Sequence, residues 1–431
     1  MKANKILALL LLLILVLTAL PARELSIEDA LDLAMSSSLQ MQNARLELDS
    51  LKRQSEDAWG TFLPSMTATG TLGHNNRYNS KIDNPNPGPF ALVSFEFSFS
   101  FNMAMVTGIQ ATRQSYQNGL LSYEEARAKL RVNIEKLYYA IVLQEESLRI
   151  KRDTLQVQKE RMEQAQTDYD NGYVPELYVL QTQVSYQNAM PEIDQAELSL
   201  AQNKRSFAFL IGLDINEEIV LTDRIDQKMV TLNEEELLSS LAMRYDLGTI
   251  TNAGKLLDLQ KKALQQQTYL PSFVLSASHK PYLGKIEGDN WVTLDNWIDQ
   301  GSVTLTVAYN LTNLLPTSSN QQNIKKIRES MKQLDIQYAM AEESARMEVL
   351  TLIDKIRTNR EQIENFERTV SLAESSYEMT KKSYENGTSD YLDLKDAENS
   401  LNQARLGRLS SEYDYLTALI DLEYATQQTI R

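Results

Sequence analysis

The stretch Tyr384-Glu-Asn-Gly-Thr-Ser-Asp-Tyr-Leu-Asp-Leu394, YENGTSDYLDL, decides how this chain is read. It interrupts a segment that runs from Asn320 to Asn386 without a glycine or a proline. A second helical pattern starts within a few residues of Gly387. A related phrase, YDNGYVPELYV from Tyr169 to Val179, closes another long helical pattern. Two very long helices thus end in the same tyrosine, asparagine and glycine.

Sliding the sequence against itself explains the recurrence. At an offset of 215, Tyr169, Asn171, Gly172, Leu177, Ser185 and Ala189 fall on Tyr384, Asn386, Gly387, Leu392, Ser400 and Ala404. The same offset carries Tyr123 onto Tyr338 and Ala126 onto Ala341. Nearer each start the offset is 207, which matches Leu63-Pro64-Ser65 to Leu270-Pro271-Ser272. The pattern indicates a tandem duplication, residues 23–212 and 232–431, joined by an acidic linker at 213–231.

Each copy follows one plan. A helical stretch (Ile27 to Gly60; Glu234 to Thr268) ends at Leu-Pro-Ser, because proline stops a helix and biases the residue before it to an extended form. A strand, a loop, a second strand, the long helix, the Asn-Gly break and a returning helix follow. In Ala91–Met103, Val93, Phe95, Phe97, Phe99 and Phe101 alternate with Ser94, Glu96, Ser98, Ser100 and Asn102. In Ser302–Asn310, Val303, Leu305, Val307 and Tyr309 share one parity. A period of two places these sets on opposite sheet faces. About ten residues is also the length of a tilted strand crossing an outer membrane. A half-buried sheet over a soluble core is the alternative for either strand alone. Two such strands, each fed by Leu-Pro-Ser and a polar loop, favour a barrel whose apolar set faces lipid. The loops, Asn75 to Pro89 and Lys280 to Gly301, hold three prolines in one and Trp291 and Trp297 in the other. Those tryptophans suit interfacial anchors or plain loop aromatics equally.

The long segments, Gly108 to Asp170 and Asn320 to Tyr384, would each be roughly 95–100 Å as helices. Gly119 is a candidate interruption of the first. Apolar residues recur at three and four, as in Ile324, Ile327, Met331, Leu334 and in Leu350, Ile353, Ile356, Ile363. That is a coiled-coil stripe against a partner, and the partner is the returning helix (Glu176 to Ile211; Tyr391 to Gln428). Glycine at the break permits the left-handed backbone that ends a helix. Leu177 and Leu392 are then expected to pack back across the turn.

Composition excludes much else. The chain has no cysteine, hence no disulfide, thiolate site or lipidated cysteine. Its two histidines, His74 and His279, are too few and too distant for a metal centre. No nucleophile elbow, phosphate loop or dinucleotide fingerprint occurs, so neither an enzyme nor a cofactor is expected. A net charge of −15 argues against nucleic acid. Lys2 and Lys5, an apolar run from Ile6 to Leu20 and a small residue at Ala22 read as a secretory signal peptide, residues 1–22. The apolar run is short of the roughly 20 residues of a membrane helix; an uncleaved anchor is the alternative.

With the duplication, the Leu-Pro-Ser turns and tips of the form Tyr-x-x-Gly-x-x-x-x-Leu in place, the chain resembles the TolC family of outer-membrane efflux proteins over its whole mature length. The resemblance implies a mainly α fold with a small antiparallel β part. It implies a homotrimer in which each chain gives four strands to a twelve-stranded transmembrane β-barrel, with long α-hairpins forming an α-barrel in the periplasm. Four strands alone cannot close a barrel, and an open edge in outer-membrane lipid is forbidden, which supports several copies independently. The implied function is the passive exit duct of a tripartite efflux or type I secretion system. Its hairpin tips would dock on a periplasmic adaptor (membrane fusion) protein and, through it, on an inner-membrane transporter.

The resemblance also puts Asp393 and Asp396 at the pore entrance. Spaced three apart in a first helical turn they share a face, and three copies would bring six carboxylates together. Helix capping is the competing role, since Asp390 and Asp393 mimic a capping box. The family's closing latch uses an aspartate where this chain has Tyr178 and an arginine where it has Ser389, although Tyr384 matches. A periplasmic coiled-coil scaffold or adaptor that spans no membrane is the second functional class; adaptors usually carry one α-hairpin, and this chain has two.

Overall fold

The computed structural model describes residues 23–75, 88–225, 229–283 and 294–430. The signal-peptide segment, the proline-rich part of the first loop and Trp291 lie outside them. In chain order, β1 (Arg23–Leu25) leads to α1 (Ile27–Ser37), α2 (Leu39–Glu56), a 3-10 segment (Asp57–Phe62), β2 (Ser65–Asn75) and β3 (Gly88–Phe101). Then come α3 (Met103–Asp170), α4 (Glu176–Ile211) and β4 (Ile219–Leu221). The second half has α5 (Glu234–Ser239), α6 (Tyr245–Tyr269), β5 (Ser272–His279), β6 (Pro281–Leu283), β7 (Ile298–Asp299) and β8 (Ser302–Ala308). It closes with α7 (Ser319–Glu385) and α8 (Tyr391–Thr426). The chain is mainly helical, and both halves run helix, strands, long helix, shorter helix.

Three expectations change. The helix expected over Ile27 to Gly60 breaks at Ser38, which is extended (ψ 132°) and buried, with its hydroxyl accepting the Gln40 N–H at 3.3 Å. A serine oxygen competes here for backbone donors, the usual reason serine favours helix starts. The helix of the second half breaks at Arg244, also extended, whose guanidinium reaches Glu348 (2.8 Å) and the Ala425 carbonyl (3.4 Å). Gly119, by contrast, interrupts nothing. A Cβ there would lie 2.6 Å from the Leu51 side chain, so the glycine admits α2 against α3.

The chain packs as two units. One takes residues up to Leu46, Tyr123–Tyr245 and Ala341 onward; the other takes Glu47–Ser122 and Asp246–Met340. The first unit holds two apolar cores. In one, Leu130, Ile134, Tyr138 and Ile141 of α3 meet Ala30 and Ala34 of α1 and Phe207, Ala208 and Ile211 of α4. In the other, Val349, Ile353, Ile356 and Ile363 of α7 meet Leu237 of α5 and Tyr415, Ala418, Leu419 and Leu422 of α8. Ile134 and Ile141 stand at the offset of 215 from Val349 and Ile356. Each core buries one tyrosine whose hydroxyl ties in a crossing segment. Tyr138 Oη donates to the Leu25 carbonyl and accepts the Asp223 N–H, both at 3.0 Å, and Tyr415 Oη accepts the Val230 N–H at 3.0 Å. A buried phenol is stable only with such partners.

The second unit holds an antiparallel sheet whose long strands run β2-β3-β5-β8. Leu63, before Pro64, is extended (ψ 133°), and Leu-Pro-Ser starts a strand in both halves. The sheet is open, with β2 and β8 as its long outer edges. The short β6 and β7 extend one end; they lay unread in the second loop because strands of three and two residues carry no periodic signal.

Candidate functional site

The sheet sorts its side chains by chemistry. Residues directly opposite in a ladder point to the same face. The register joins Met66, Phe97, Ala277 and Val303 in one row. Phe99, Leu275 and Leu305 form the next row, and Phe101, Phe273 and Val307 the one after. Val93 pairs with Gly70, and Phe95 with Ala68 and His279. The opposite face carries Thr67, Glu96 and Ser278 in one row and Ser65, Ser98, Ser276 and Thr304 in another. Four strands thus give one mainly apolar face, with His279 near its end, and one face mainly of hydroxyls, with Leu92 and Val274 among them. The apolar face is uncovered: Met66, Leu72, Val303 and Leu305 are 68–82% exposed. Phe95, Val307 and Tyr309 are also exposed, and Phe97, Phe99 and Phe101 are half-buried. Tyr309 lies just beyond the end of β8.

At the hairpin ends, the backbone bonds of the two tips match. Gly172 (φ 77°) and Gly387 (φ 72°) are left-handed. Tyr173 N–H donates to the Asp168 carbonyl and Thr388 N–H to the Ser383 carbonyl, both at 2.8 Å. Gly172 and Gly387 each donate to the tyrosine carbonyl three residues back, Tyr169 or Tyr384, at 2.9 Å, and Asn171 and Asn386 each donate four residues back at 3.1 Å. These bonds satisfy the last carbonyls of each long helix, and the left-handed backbone they need suits glycine.

Leu177 and Leu392 do not pack across the turn. They are 64% and 55% exposed, because the returning helices turn Val179 on one side and Tyr391 and Leu394 on the other toward the interior. Asp393 and Asp396 are exposed as well. Asp390 is the N-cap of α8 and accepts the Asp393 N–H at 2.9 Å. The Asp393 carboxylate accepts the Ser389 hydroxyl at 2.8 Å. Asp393 thus completes a cap while its charge faces solvent; Asp396, one turn on, has no share in that cap.

Behind the tips runs a polar seam between the hairpins that sequence reasoning missed. Arg161 of α3 meets the buried Glu398 of α8 at 2.5 Å, and its other nitrogen reaches the Tyr377 hydroxyl at 3.4 Å. Lys395 hydrogen-bonds Ser185, and Asn402 donates to Thr154 at 3.0 Å. The hydroxyls of Tyr178 and Tyr384 hydrogen-bond each other, and the Tyr178 ring meets Tyr391 edge-on at 5.1 Å. Burial, then the bond to Tyr384, pushes the Tyr178 phenol well above the ordinary tyrosine range, so it is neutral. The two departures from the family's latch thus make other contacts: Tyr178 bonds Tyr384, and Ser389 bonds Asp393. One signal was legible in advance: Glu398 interrupts the apolar series Tyr391, Leu394, Leu401 at its heptad position.

Among the described residues no cluster could hold a metal, and no helix is long and apolar enough to cross a membrane. The profile of the outer membrane efflux protein family matches residues 30–213 and 259–426. The chain belongs to that family and is an outer-membrane efflux channel. No curated protein sequence matches it. Among solved structures it is similar to the CmeC outer membrane channel of Campylobacter jejuni, with 15% identity, a TM-score of 0.80, and 93% of this chain and 85% of that chain covered. It is also similar to CusC (16%, 0.78, 93% and 91%) and to the outer membrane protein VceC of Vibrio cholerae (16%, 0.75, 94% and 97%). At such identities these likenesses establish the fold. The family leaves the non-membrane scaffold without support.

Proposed function

We propose that the chain is the passive exit duct of a tripartite efflux or type I secretion system, formed by three copies. The observation that carries this reading is the sheet, apolar on one face, hydroxyl-lined on the other and open at both long edges. An open edge in lipid leaves unpaired amides and carbonyls at several kcal/mol each. Pairing β2 of one copy with β8 of the next satisfies both edges, and such head-to-tail contacts close into a ring. Three copies give twelve strands. The apolar set Val93, Phe95, Phe97, Phe99, Phe101, Val303, Leu305, Val307 and Tyr309 then meets lipid.

The matching tips and the cores at one offset support an origin by tandem duplication. The tips, Asn171 to Leu177 and Asn386 to Leu392 with Tyr169 and Tyr384 behind them, are the docking points for a periplasmic adaptor that leads to an inner-membrane transporter. The exposure of Leu177 and Leu392 leaves them free for that contact. Asp393 and Asp396 of three copies form the acidic ring at the pore entrance. Fractionation tests the duct: a heat-modifiable trimer extracted with outer membranes is expected, and a monomer released without detergent overturns it. For the ring, Asp393→Asn with Asp396→Asn is expected to abolish channel block by a trivalent cation. Unaltered block would leave the pair as capping residues, since asparagine caps nearly as well as aspartate.

A further inference from the structure

The hydroxyl face of the sheet carries almost no charge. Among the described residues of β2, β3, β5 and β8 on that face, Glu96 is the single ionisable side chain. Its neighbours across the ladders are Thr67 and Ser278, neither of which offers it a countercharge. The countercharge comes from Lys280, just past β5 and in phase with Ser278, whose ammonium lies 2.8 Å from the Glu96 carboxylate. The lysine backbone is held for this contact. Asp299 accepts the Lys280 N–H at 2.7 Å and the Gly301 N–H at 2.8 Å, and the Lys280 carbonyl accepts the Gln300 N–H at 3.0 Å. Two elements of the second loop therefore serve to set one ammonium against one carboxylate.

We infer that the Glu96–Lys280 pair keeps the membrane passage electrically neutral, so that it passes cargo without regard to charge. The inference rests on the duct reading, in which this face lines the lumen. A lone carboxylate repeated in three copies would focus a negative potential in a narrow passage and sort solutes by sign. A carboxylate with its ammonium in contact leaves only a dipole, whose field decays within the pair's own surroundings. Hydroxyls meanwhile hydrogen-bond as donors and acceptors, so the lining solvates anions, cations and neutral polar groups alike. The cargo class that fits is chemically mixed small solutes, with any sorting by charge left to the acidic tips.

Purified trimer in planar bilayers tests this through reversal potentials in a salt gradient. Lys280→Gln is expected to raise the cation-to-anion permeability ratio at least about twofold near 0.1 M salt, and the shift should fade near 1 M, where screening is about 3 Å. Glu96→Gln should move the ratio the opposite way. The exchanged pair, Glu96→Lys with Lys280→Glu, should return it to the wild-type value, which a merely damaged barrel would not do. A conducting wild type whose ratio neither single substitution moves overturns the inference alone, as does an exchanged pair that fails to restore it. A trimer that conducts in no state, with its tips opened included, overturns the duct reading and the inference with it.

Discussion

The two α-hairpins end alike and are built differently along their shafts. Their tips share a left-handed glycine and the same carbonyl-capping bonds, residue for residue. Higher up, the offset of 215 sets Lys151 against Phe366 and Glu192 against Gly407. In the second hairpin a Cβ on Gly407 would lie 2.4 Å from the Phe366 ring, so the ring occupies the notch the glycine leaves. In the first, the same places hold a surface ion pair, Lys151 to Glu192 at 3.5 Å, beside Pro191 inside α4. Proline donates no hydrogen bond and crowds the carbonyl four residues back. The tip is dictated by the demands of reversing a helix. The shaft is free to be fastened by shape in one hairpin and loosely by charge in the other.

The seam joins the hairpins, and breaking it should have the largest effect. Arg161→Ala leaves Glu398 buried without its cation, at a cost of about 3–5 kcal/mol. Amide hydrogen exchange at the start of α8 should accelerate accordingly, and Arg161→Leu with Glu398→Leu should recover most of the loss. Exchange unchanged in Arg161→Ala would mean that the pair does not hold the tips together.

The shafts themselves come next. Gly407→Ala forces Phe366 aside, and overpacking of this kind costs about 1–3 kcal/mol. Glu192→Ala, at the matching place, removes an exposed ion pair worth at most about 1 kcal/mol. Exchange rates along the two hairpins measure both, and equal effects would erase the contrast between shape and charge.

At the tips the effect is modest on stability and large on function. Valine at Gly172 or Gly387 must take a left-handed backbone, at about 1–2 kcal/mol. Each substitution is expected to leave trimer abundance intact and abolish export. Export that survives Gly387→Val at normal abundance would show that this tip is not the adaptor contact.

Much of this was legible in the chain. Period-two alternation gave β3 and β8, Leu-Pro-Ser gave the strand starts, and Asn-Gly gave both helix ends, because each is a local backbone constraint with a residue that marks it. The breaks at Ser38 and Arg244 carry no glycine or proline: the first rests on a serine hydroxyl that takes the Gln40 N–H, which any helix-start serine could do, and the second on a guanidinium reaching distant residues. An apolar residue five places after the glycine predicts packing across the turn at Leu177 and Leu392, whereas the helix phase buries Val179 and Leu394 instead. The seam escaped notice for a related reason. Arg161 and Glu398 lie far apart in sequence, and their meeting depends on how one hairpin is rotated against the other.

The central claim, that the sheet is the wall of a membrane duct, is tested most directly at two adjacent residues of β3. Phe97 lies on the apolar face and Ser98 on the hydroxyl face. Single cysteines at these positions, in trimers opened at the tips, should differ sharply toward a membrane-impermeant thiol reagent. Phe97→Cys is expected to be silent and Ser98→Cys to react in full. Full and equal reaction at both would put water on both faces and contradict the barrel.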